Sequence, residues 1–272
     1  MSKPTTKEEI QVHKNESMLN FSAFMDSLIA SEDPKDLKRA NLISYWLKDF
    51  QLYISQEKEF DASRIKSYKR GDVIKVNLGF NVGSEQGGLR YAIVLDKENK
   101  HNSKTITVIP LTSQKEEKKI YERDISLGRE LYNRLKAKHD SIAEDLQKET
   151  KERSDSINEA KEMLEFFTEH FPEEKYPAGT EIAKMKNSIA EAIAKQNAAL
   201  AELQETSKAL RKISTELHRM KDGSIAKVEQ ITTISKQRIY DPRKSADVLS
   251  GVRFSDAAME KINEKIKELY IF

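Results

Sequence analysis

The sequence predicts an α+β protein in which a small, largely antiparallel β barrel is interrupted by a long helical hairpin. Residues 66–127 contain short β-branched runs joined by polar connections, which is typical of antiparallel strands. Residues 128–219 place apolar side chains at three- and four-residue intervals or their multiples in a highly charged background, which predicts two long helices. Residues 220–272 return to a strand pattern and end in an amphipathic helix, so they are expected to complete the barrel.

Composition restricts the possible functions of the 272 residues. The formal net charge is only +2, so any site for a polyanion must be a local patch. The absence of cysteine excludes disulfides, zinc–thiolate sites and thiol catalysis. The chain starts with a polar segment and has no apolar run of about 18 residues, so we expect a cytoplasmic protein that does not cross a membrane.

Residues 1–65 are predicted to form an N-terminal helical module. Thr6 and Glu9 have the spacing of a capping box, and Asp33 before Pro34 is a second helix-start signal. Apolar residues follow each start at helical spacing, which predicts a packed helical hairpin. Alternatively, the same faces are a docking surface for a partner or for the chain's own active site.

A glycine-rich loop that runs into an apolar strand organises the barrel. Gly83, Gly87 and Gly88 permit a positive φ or the close approach of another backbone. Arg90 follows this loop and precedes the apolar run 92–95, so it is expected where a mobile loop meets a rigid strand. Such a junction is a common position for a residue that does chemistry.

Short runs of β-branched residues predict the strands, and Ser255 with Asp256 predicts the start of a final helix. The apolar stripe of that helix is expected to pack on the core. The predicted strands cover residues 72–78, 91–95, 105–111, 120–127 and 224–234.

The inserted segment 128–219 is predicted to be an antiparallel coiled-coil hairpin. Residues 171–180 hold two prolines and a glycine, which break the helix, and Thr180 is a capping residue for the second arm. Each arm of roughly 40 residues would extend about 60 Å at the α-helical rise. A coil this polar is usually a spacer or an interaction arm, and its seam offers no cluster of catalytic side chains.

Four motifs in the two barrel parts resemble the MazF/PemK family of bacterial toxin endoribonucleases. They occur in the family's order, and the terminal helix follows them. On this resemblance, residues 128–219 are an insertion between two barrel strands and residues 1–65 are an added module. The motifs are YKRGDVIKVNLG (68–79), GSEQGGLRYAIVL (83–95), TVIPLTS (107–113) and VEQITTISKQRI (228–239).

The resemblance implies an SH3-like β barrel of the MazF, PemK and CcdB kind, with a C-terminal helix and usually as a homodimer. It implies metal-independent cleavage of single-stranded RNA that usually leaves a 2′,3′-cyclic phosphate. A cognate antitoxin protein is the implied partner, and no cofactor is implied. The family's catalytic arginine and threonine correspond to Arg90 and Thr112, and its RNA-contacting residues correspond to Ser84, Glu85, Gln86, Gly87 and Ser113.

Two positions depart from the family pattern. Tyr91 stands where the family usually has proline, which is expected to change the stiffness of the loop. Thr232 stands where the family usually has arginine, which is expected to change the dimer surface or the antitoxin contacts. Neither departure removes a catalytic group.

Arg90 suits the implied reaction, because attack by a ribose 2′-hydroxyl builds negative charge on the phosphate oxygens. A guanidinium offers that charge a fixed fork of donors, and Thr112 adds a hydroxyl. Arginine stays protonated in proteins, so we expect it to stabilise charge or donate a proton rather than abstract one. Glu85 is one candidate for the base, although a loop glutamate is more often a solvated contact.

Other charged side chains are less informative. The lysines that follow the loop are either a local phosphate-binding patch or ordinary solubilising charge, because glutamates are interspersed with them. The histidines are scattered, which argues against a metal-dependent or histidine-based nuclease site. The lysines are Lys97, Lys100, Lys104, Lys115, Lys118 and Lys119, and the histidines are His13, His101, His139, His170 and His218.

Two other classes of function stay open. One is a non-catalytic barrel that binds a protein target, as related barrels that poison DNA gyrase do. The other is an interaction protein whose coiled coil is the working part and whose barrel is a relic. The presence of both Arg90 and Thr112 favours the nuclease. As a further hypothesis, the N-terminal hairpin or the coiled coil is expected to regulate access to the Arg90 site or to lengthen a dimer.

Overall fold

The structure, a computed structural model, describes residues 6–114, 120–220 and 223–271. It combines helices with antiparallel strands, which confirms the predicted mixture of the two. The helices are α1 (Lys7–Ile29), α2 (Pro34–Ser55), α3 (Glu130–His170), α4 (Glu181–Arg219) and α5 (Asp256–Tyr270). The strands are β1 (Val73–Asn77), β2 (Leu89–Val94), β3 (Thr105–Gln114), β4 (Asp124–Gly128), β5 (Gly223–Lys227), β6 (Thr232–Ser235) and β7 (Ile239–Asp241).

The strands form one antiparallel sheet in the order β4-β5-β3-β2-β1-β7, with β6 paired to β3. The predicted closed barrel is not confirmed, because β4 and β7 end the order and the described strands do not pair across that gap. The predicted segments lie close to the observed strands, although β4 begins at Asp124 instead of residue 120. Arg90 is the second residue of β2 and so lies inside the strand, just after the loop.

Strand β3 has different neighbours along its length. Its first residues pair with β6, its middle residues 108–110 pair with β2, and residues 111–114 pair with β5. At ten residues it is the longest strand described, so it spans both halves of the sheet. This change of partner joins the strands before the inserted hairpin to those after it.

Each face of the sheet packs in a separate apolar core, because successive side chains of a strand point to opposite faces. Ile74, Ala92 and Val108 belong to one cluster. Val73, Ile93 and Ile109 belong to the other, which also holds side chains from the bases of α3 and α4 and from α5. The base of the hairpin is therefore part of the main core.

Helices α3 and α4 run antiparallel along each other. Leu135 near the start of α3 and Ile213 near the end of α4 lie in the same core cluster. Further out, the Arg153 guanidinium donates to Oε1 of Gln196 at 3.0 Å. This arrangement agrees with the predicted hairpin, whereas the supercoiled packing of a coiled coil stays a prediction. None of the helices in the described ranges is both long and apolar enough to span a membrane.

The helix-start predictions are confirmed by the caps. Thr6 and Glu9 form a reciprocal capping box, Asp33 caps α2, and Ser255 caps α5. In each case the capping side chain accepts a backbone N–H that the helix itself leaves unpaired. Local sequence decides these positions.

The N-terminal hairpin buries less than its apolar spacing predicts. Its small cluster is centred on Leu28, Ala40 and Ile43, with Phe80 from the sheet domain packed against it. Most of its other large apolar side chains stay exposed, among them Ile10, Leu19 and many of those on α2. The hairpin is joined to the sheet domain through α2, where Asp49 accepts from the Asn77 amide and the Tyr53 carbonyl accepts from the Gln237 amide.

One predicted strand is wrong in its extent. Residues 224–234 do not form a single strand, because a short 3₁₀ turn at 228–230 separates β5 from β6. Val228 in this turn is buried, and it lets β5 and β6 pair with different parts of β3.

Truncation of Leu135 tests whether the hairpin base belongs to the core. Leu135 is fully buried, so Leu135→Ala is expected to lower the free energy of unfolding by about 2–5 kcal/mol. Met163 lies further along α3 and is 53% exposed, so Met163→Ala is expected to change it by less than about 0.5 kcal/mol. Urea denaturation of both variants measures the difference, and equal small effects would contradict the shared core.

Candidate active site

Arg90 and Thr112 line the same cleft. Ala92 pairs with Pro110 in the β2–β3 ladder, so the register sets Arg90 opposite Thr112 two residues further along. The cleft has a volume of about 180 Å³, and Ser113 also lines it. Its full lining is Lys75, Leu89, Arg90, Tyr91, Leu111, Thr112, Ser113, Met220, Gly223 and Ser224.

The cleft lies where β2 and β3 take different partners. Residues 89–91 of β2 pair with β1, whereas residues 111–114 of β3 pair with β5. The ladder between β2 and β3 covers only the rungs from Ala92 to Val94. The ends of the two strands therefore form the walls of a gap instead of adjacent rungs of one ladder.

Arg90 is exposed and is anchored by one backbone contact. Its Nε donates a hydrogen bond to the carbonyl oxygen of Gly87 at 2.9 Å. No carboxylate within the described parts of the chain forms an ion pair with its guanidinium. Two terminal nitrogens thus remain as donors for a ligand, while the loop fixes the start of the side chain. Thr112 is half-buried and stands opposite Ile225 of β5.

A side chain from the second barrel part holds the loop before Arg90. The Gln230 amide oxygen accepts from the backbone N–H of Gln86 at 2.6 Å. The Gln230 amide nitrogen donates to the carbonyl oxygen of Ser84 at 3.1 Å. Asn81 donates to the Gln86 carbonyl at 2.7 Å from the other side. The loop therefore depends on contacts from both sides for its shape.

The glycines of the loop have the two roles expected of them. Gly83 and Gly88 have φ values of +62° and +74°, which an L side chain rarely adopts. A Cβ atom on Gly87 would lie 2.8 Å from the Gly79 carbonyl oxygen, so this position requires the absence of a side chain. Gly87 is also the residue whose carbonyl accepts from Arg90.

The other predicted RNA-contacting residues line a neighbouring groove. Ser84, Glu85 and Gln86 border a cavity of about 660 Å³, which reaches Pro110, two residues before Thr112. Thr232, where the family usually has arginine, borders it too, and Arg123 and Arg238 supply positive charge there. The structure thus places the predicted residues in two adjacent sites. Glu85, the candidate base, is in the groove and not among the residues lining the cleft with Arg90.

Helix α4 contacts the strand of Arg90 through Glu216. The Glu216 carboxylate accepts from Lys75 Nζ at 2.5 Å and from the hydroxyl of Tyr91 through the same oxygen. The Lys75 and Glu216 side chains are only 17% and 13% exposed. Because Tyr91 follows Arg90 directly, the base of the inserted helix is tied to the site.

These contacts change the titration of both partners. Burial opposes ionisation of Glu216, but the hydrogen bonds from Lys75 and Tyr91 and the nearby positive charges outweigh it and lower the pKa of the carboxyl. Burial, with Glu216 as a further cause, raises the pKa of the Tyr91 hydroxyl. Glu216 is therefore held as a carboxylate, and Tyr91 is held as a hydrogen-bond donor.

Sequence reasoning missed Glu216, Lys75 and Gln230. Glu216 is one of many glutamates on a charged helix, and only tertiary packing distinguishes it. Gln230 lies inside one of the quoted motifs. Its position in the turn between β5 and β6 is the local feature that could have indicated a contact with the loop.

The remaining charged candidates do not gather at the cleft. Lys97, Lys100 and Lys104 are exposed and do not line it. The other three lysines of the predicted patch, Lys115, Lys118 and Lys119, lie outside the described residues. Within the described ranges, no group of three or more His, Asp or Glu side chains has an arrangement that could hold a metal ion.

One known protein family matches the part of the chain that contains Arg90 and Thr112. A family model described as a PemK-like, MazF-like toxin of type II toxin–antitoxin systems matches residues 69–153. The chain contains a PemK-like toxin segment. The match confirms the family resemblance and includes the loop, Arg90 and Thr112. It ends within α3, so the motif at 228–239 lies beyond the PemK-like segment. No curated protein matches the chain.

Replacement of Glu216 is expected to change how stability depends on pH. The pKa of Glu216 is lower in the folded state than in the unfolded state, so the unfolded state binds more protons as the solution is acidified. The stability that the ionised Glu216 contributes is therefore lost as the pH falls from about 4.5 through the folded-state pKa. Glu216→Gln is expected to cost about 1–3 kcal/mol at pH 7 and to flatten the decline in acid. Thermal denaturation from pH 7 to pH 3 measures both, with Glu202→Gln, at an exposed position on the same helix, as control. A parallel decline in parent and variant would contradict this role.

Substitution of Gly87 is expected to disturb the loop without touching Arg90. Gly87→Ala places a methyl group against the Gly79 carbonyl oxygen, so the loop must shift and the acceptor of Arg90 moves with it. Gly83→Ala is the matched control, because a Cβ there meets open space and costs only about 1 kcal/mol for the positive φ. Proteolysis of the loop and thermal melting compare the two variants, and a more stable Gly87→Ala would rule out the close approach.

Proposed function

We propose that the chain is the toxin of a type II toxin–antitoxin pair and a metal-independent endoribonuclease that cleaves single-stranded RNA. The observation that carries the proposal is that Arg90 and Thr112, which both belong to the PemK-like segment, line one cleft. In this proposal Arg90 and Thr112 are the catalytic residues.

The proposed reaction is an in-line transfer at phosphorus. The ribose 2′-oxygen attacks the adjacent phosphorus as its proton leaves to a base, and the bond to the 5′-oxygen breaks. The 5′-oxygen takes up a proton, so the products are a 2′,3′-cyclic phosphate and a 5′-hydroxyl. Arg90 donates hydrogen bonds to the charge that develops on the phosphate oxygens, and Thr112 adds a hydroxyl contact. Because DNA lacks the 2′-hydroxyl, it is not a substrate.

The neighbouring groove is proposed to bind the bases next to the cleaved bond. Ser84, Glu85 and Gln86 line it, and Gly87 connects the loop to Arg90. Ser113 adds a hydroxyl in the cleft itself. Backbone and amide groups of such a loop are suited to reading the edges of unpaired bases. The antitoxin, a homodimeric assembly and a cytoplasmic location complete the proposal, and the family resemblance supports them.

Cleavage by single variants tests the assignment. Arg90→Ala is expected to lower the rate of cleavage of a single-stranded RNA by about a hundredfold or more, because a donor aimed at developing charge is lost. Thr112→Ala is expected to lower it less. Arg64→Ala, which removes a highly exposed arginine remote from the cleft, is the matched control and is expected to cleave at the parent rate. The reactions contain EDTA, and end-mapping of the products identifies the 2′,3′-cyclic phosphate.

The same assay separates the alternatives. If the Arg90→Ala variant is folded by circular dichroism and cleaves RNA as fast as the parent, Arg90 is excluded as the catalytic group. A parent protein that cleaves no RNA with or without added divalent metal would favour the gyrase-poison-like binding protein or the coiled-coil interaction protein. Cleavage of RNA but not of DNA of the same sequence is the result that the proposal requires.

A further inference from the structure

A large groove runs along the base of α4 next to the cleft. It has a volume of about 1070 Å³ and lies between α4, the edge strand β7 and the segment 245–249 that follows it. The groove is formed largely by α4 and the second barrel part, which lie beyond the PemK-like match, whereas Lys75, Lys138 and Ile142 in its lining lie within the match. The part of the groove that α4 supplies is therefore a property of this chain's inserted hairpin.

One wall of the groove carries a row of exposed cations. Arg211, Lys212 and Arg219 line it from α4 and are exposed. Lys208 precedes them and is paired at 2.6 Å with Glu205, which also lines the groove. Arg211 and Lys212 lie three and four residues after Lys208, and Arg219 lies seven residues after Lys212, so the four side chains share one side of the helix. The row from Lys208 to Arg219 is about 16 Å long at the α-helical rise.

The acidic residues of the groove are engaged in internal contacts. The Asp241 carboxylate accepts from the backbone N–H groups of Val248 and Leu249. Asp247 accepts from two backbone N–H groups, and Glu216 is paired with Lys75. Arg211, Lys212 and Arg219, in contrast, form no ion pair with any carboxylate in the described residues. The groove therefore presents net positive charge to solvent.

An aromatic ring lies on the opposite wall. Tyr240 of β7 lines the groove and is 68% exposed. An exposed aromatic side chain beside a row of cations is the arrangement by which proteins bind single-stranded nucleic acid, since the cations contact phosphates and the ring stacks on a base.

The groove adjoins the cleft that holds Arg90. Lys75 lines both cavities, and Met220 of the cleft directly follows Arg219 of the groove. Glu216, which lines the groove, is hydrogen bonded to Tyr91 of the cleft. The cleft and the groove are therefore neighbours, with the paired Lys75 and Glu216 side chains where they meet.

We propose that this groove is a second binding segment for single-stranded RNA, in which Arg211, Lys212 and Arg219 contact phosphates and Tyr240 stacks on a base. The proposal rests on the proposed function, because the RNA that occupies the groove is the one cleaved at Arg90. The adjoining cleft and the exposed ring favour RNA over an acidic peptide. The inserted hairpin then extends the substrate site and gives long transcripts an advantage over short ones.

The experiment compares three full-length proteins in an Arg90→Ala background, which keeps the RNA intact. The first is the background itself, and the second adds Arg211→Gln, Lys212→Gln and Arg219→Gln. The third is the matched control, with the same change of charge on the outer hairpin, Lys151→Gln, Lys161→Gln and Lys195→Gln. Fluorescence anisotropy measures the affinity for a labelled single-stranded RNA of about 20 nucleotides and mixed sequence. The salt concentration is varied between about 50 and 300 mM, a range over which the Debye length falls from more than about 10 Å to less than about 8 Å.

The groove variant is expected to bind about tenfold more weakly, and the slope of log affinity against log salt is expected to fall by about 2, as the loss of three phosphate contacts requires. The outer-hairpin control is expected to keep the affinity and slope of the background. Tyr240→Leu is expected to weaken binding about fivefold or more with an unchanged slope, because stacking and not charge is lost.

Several outcomes would overturn the proposal. An unchanged affinity and slope in the groove variant would do so, as would an equal loss in the outer-hairpin control. A groove variant that loses affinity for an oligoglutamate peptide and not for RNA would assign the groove to an acidic partner instead.

Cleavage measured with Arg90 present separates this proposal from the proposed function. The groove variant is expected to cut a tetranucleotide at the parent rate and the long RNA more slowly at low substrate concentration. A parent that binds the long RNA through the groove but cuts nothing would count against the nuclease assignment and not against the groove. A groove variant that cuts long and short RNA at parent rates at every concentration would overturn the groove.

Discussion

The structure depends on the way in which β3 changes its partner. A β-strand has two edges that can form hydrogen bonds with neighbouring strands. One edge of β3 pairs first with β6 and then with β5. The other edge pairs with β2, over residues 108–110. Beyond Pro110, β2 pairs only with β1, so the edge of β3 that faces Arg90 is not covered by a continuous ladder. The cleft is a consequence of this pairing. Arg90 and Thr112 come together because each lies just past the last rung that their strands share.

The inserted hairpin is part of the same arrangement and not an appendage to it. Leu131 and Leu135 at the start of α3 and Ile213 near the end of α4 are buried with the sheet residues of the main core. An insertion that packed separately would leave the cleft open on the side of α4. Instead, Met220 forms part of the wall, and the basic groove begins beside it. The two ends of the hairpin therefore connect the core to a charged surface next to the site.

Local signals in the sequence predicted the parts of the fold that depend on local interactions. The starts of α1, α2 and α5 were predictable because a capping side chain binds the backbone only two or three residues away. The strand runs around Ile93 and Val108 were predictable because a β-branched, apolar run between turns has few alternatives. The break at 228–230 was not, since a turn in which Val228 is buried has the same composition as a strand.

The site was predictable only where the family resemblance supplied it. Arg90 and Thr112 are separated by 21 residues, and no local pattern states that their strands lie side by side and then diverge. Glu216 is further still from Tyr91 in the sequence, and its charge looks like that of every other glutamate on α4. Long-range pairing and burial decide its role, and neither can be read from helical periodicity.

The departure at Tyr91 and the inserted hairpin are explained together by one hydrogen bond. A proline at this position, as the resembling family usually has, would stiffen the backbone after the arginine but would offer no hydroxyl. Here the Tyr91 hydroxyl donates to Glu216, a residue that only the insertion provides. Lys75 on the neighbouring strand pairs with that carboxylate, which offsets part of the cost of burying its charge. In this chain a contact with α4 therefore holds the residue beside Arg90, where a rigid ring would otherwise restrict the backbone.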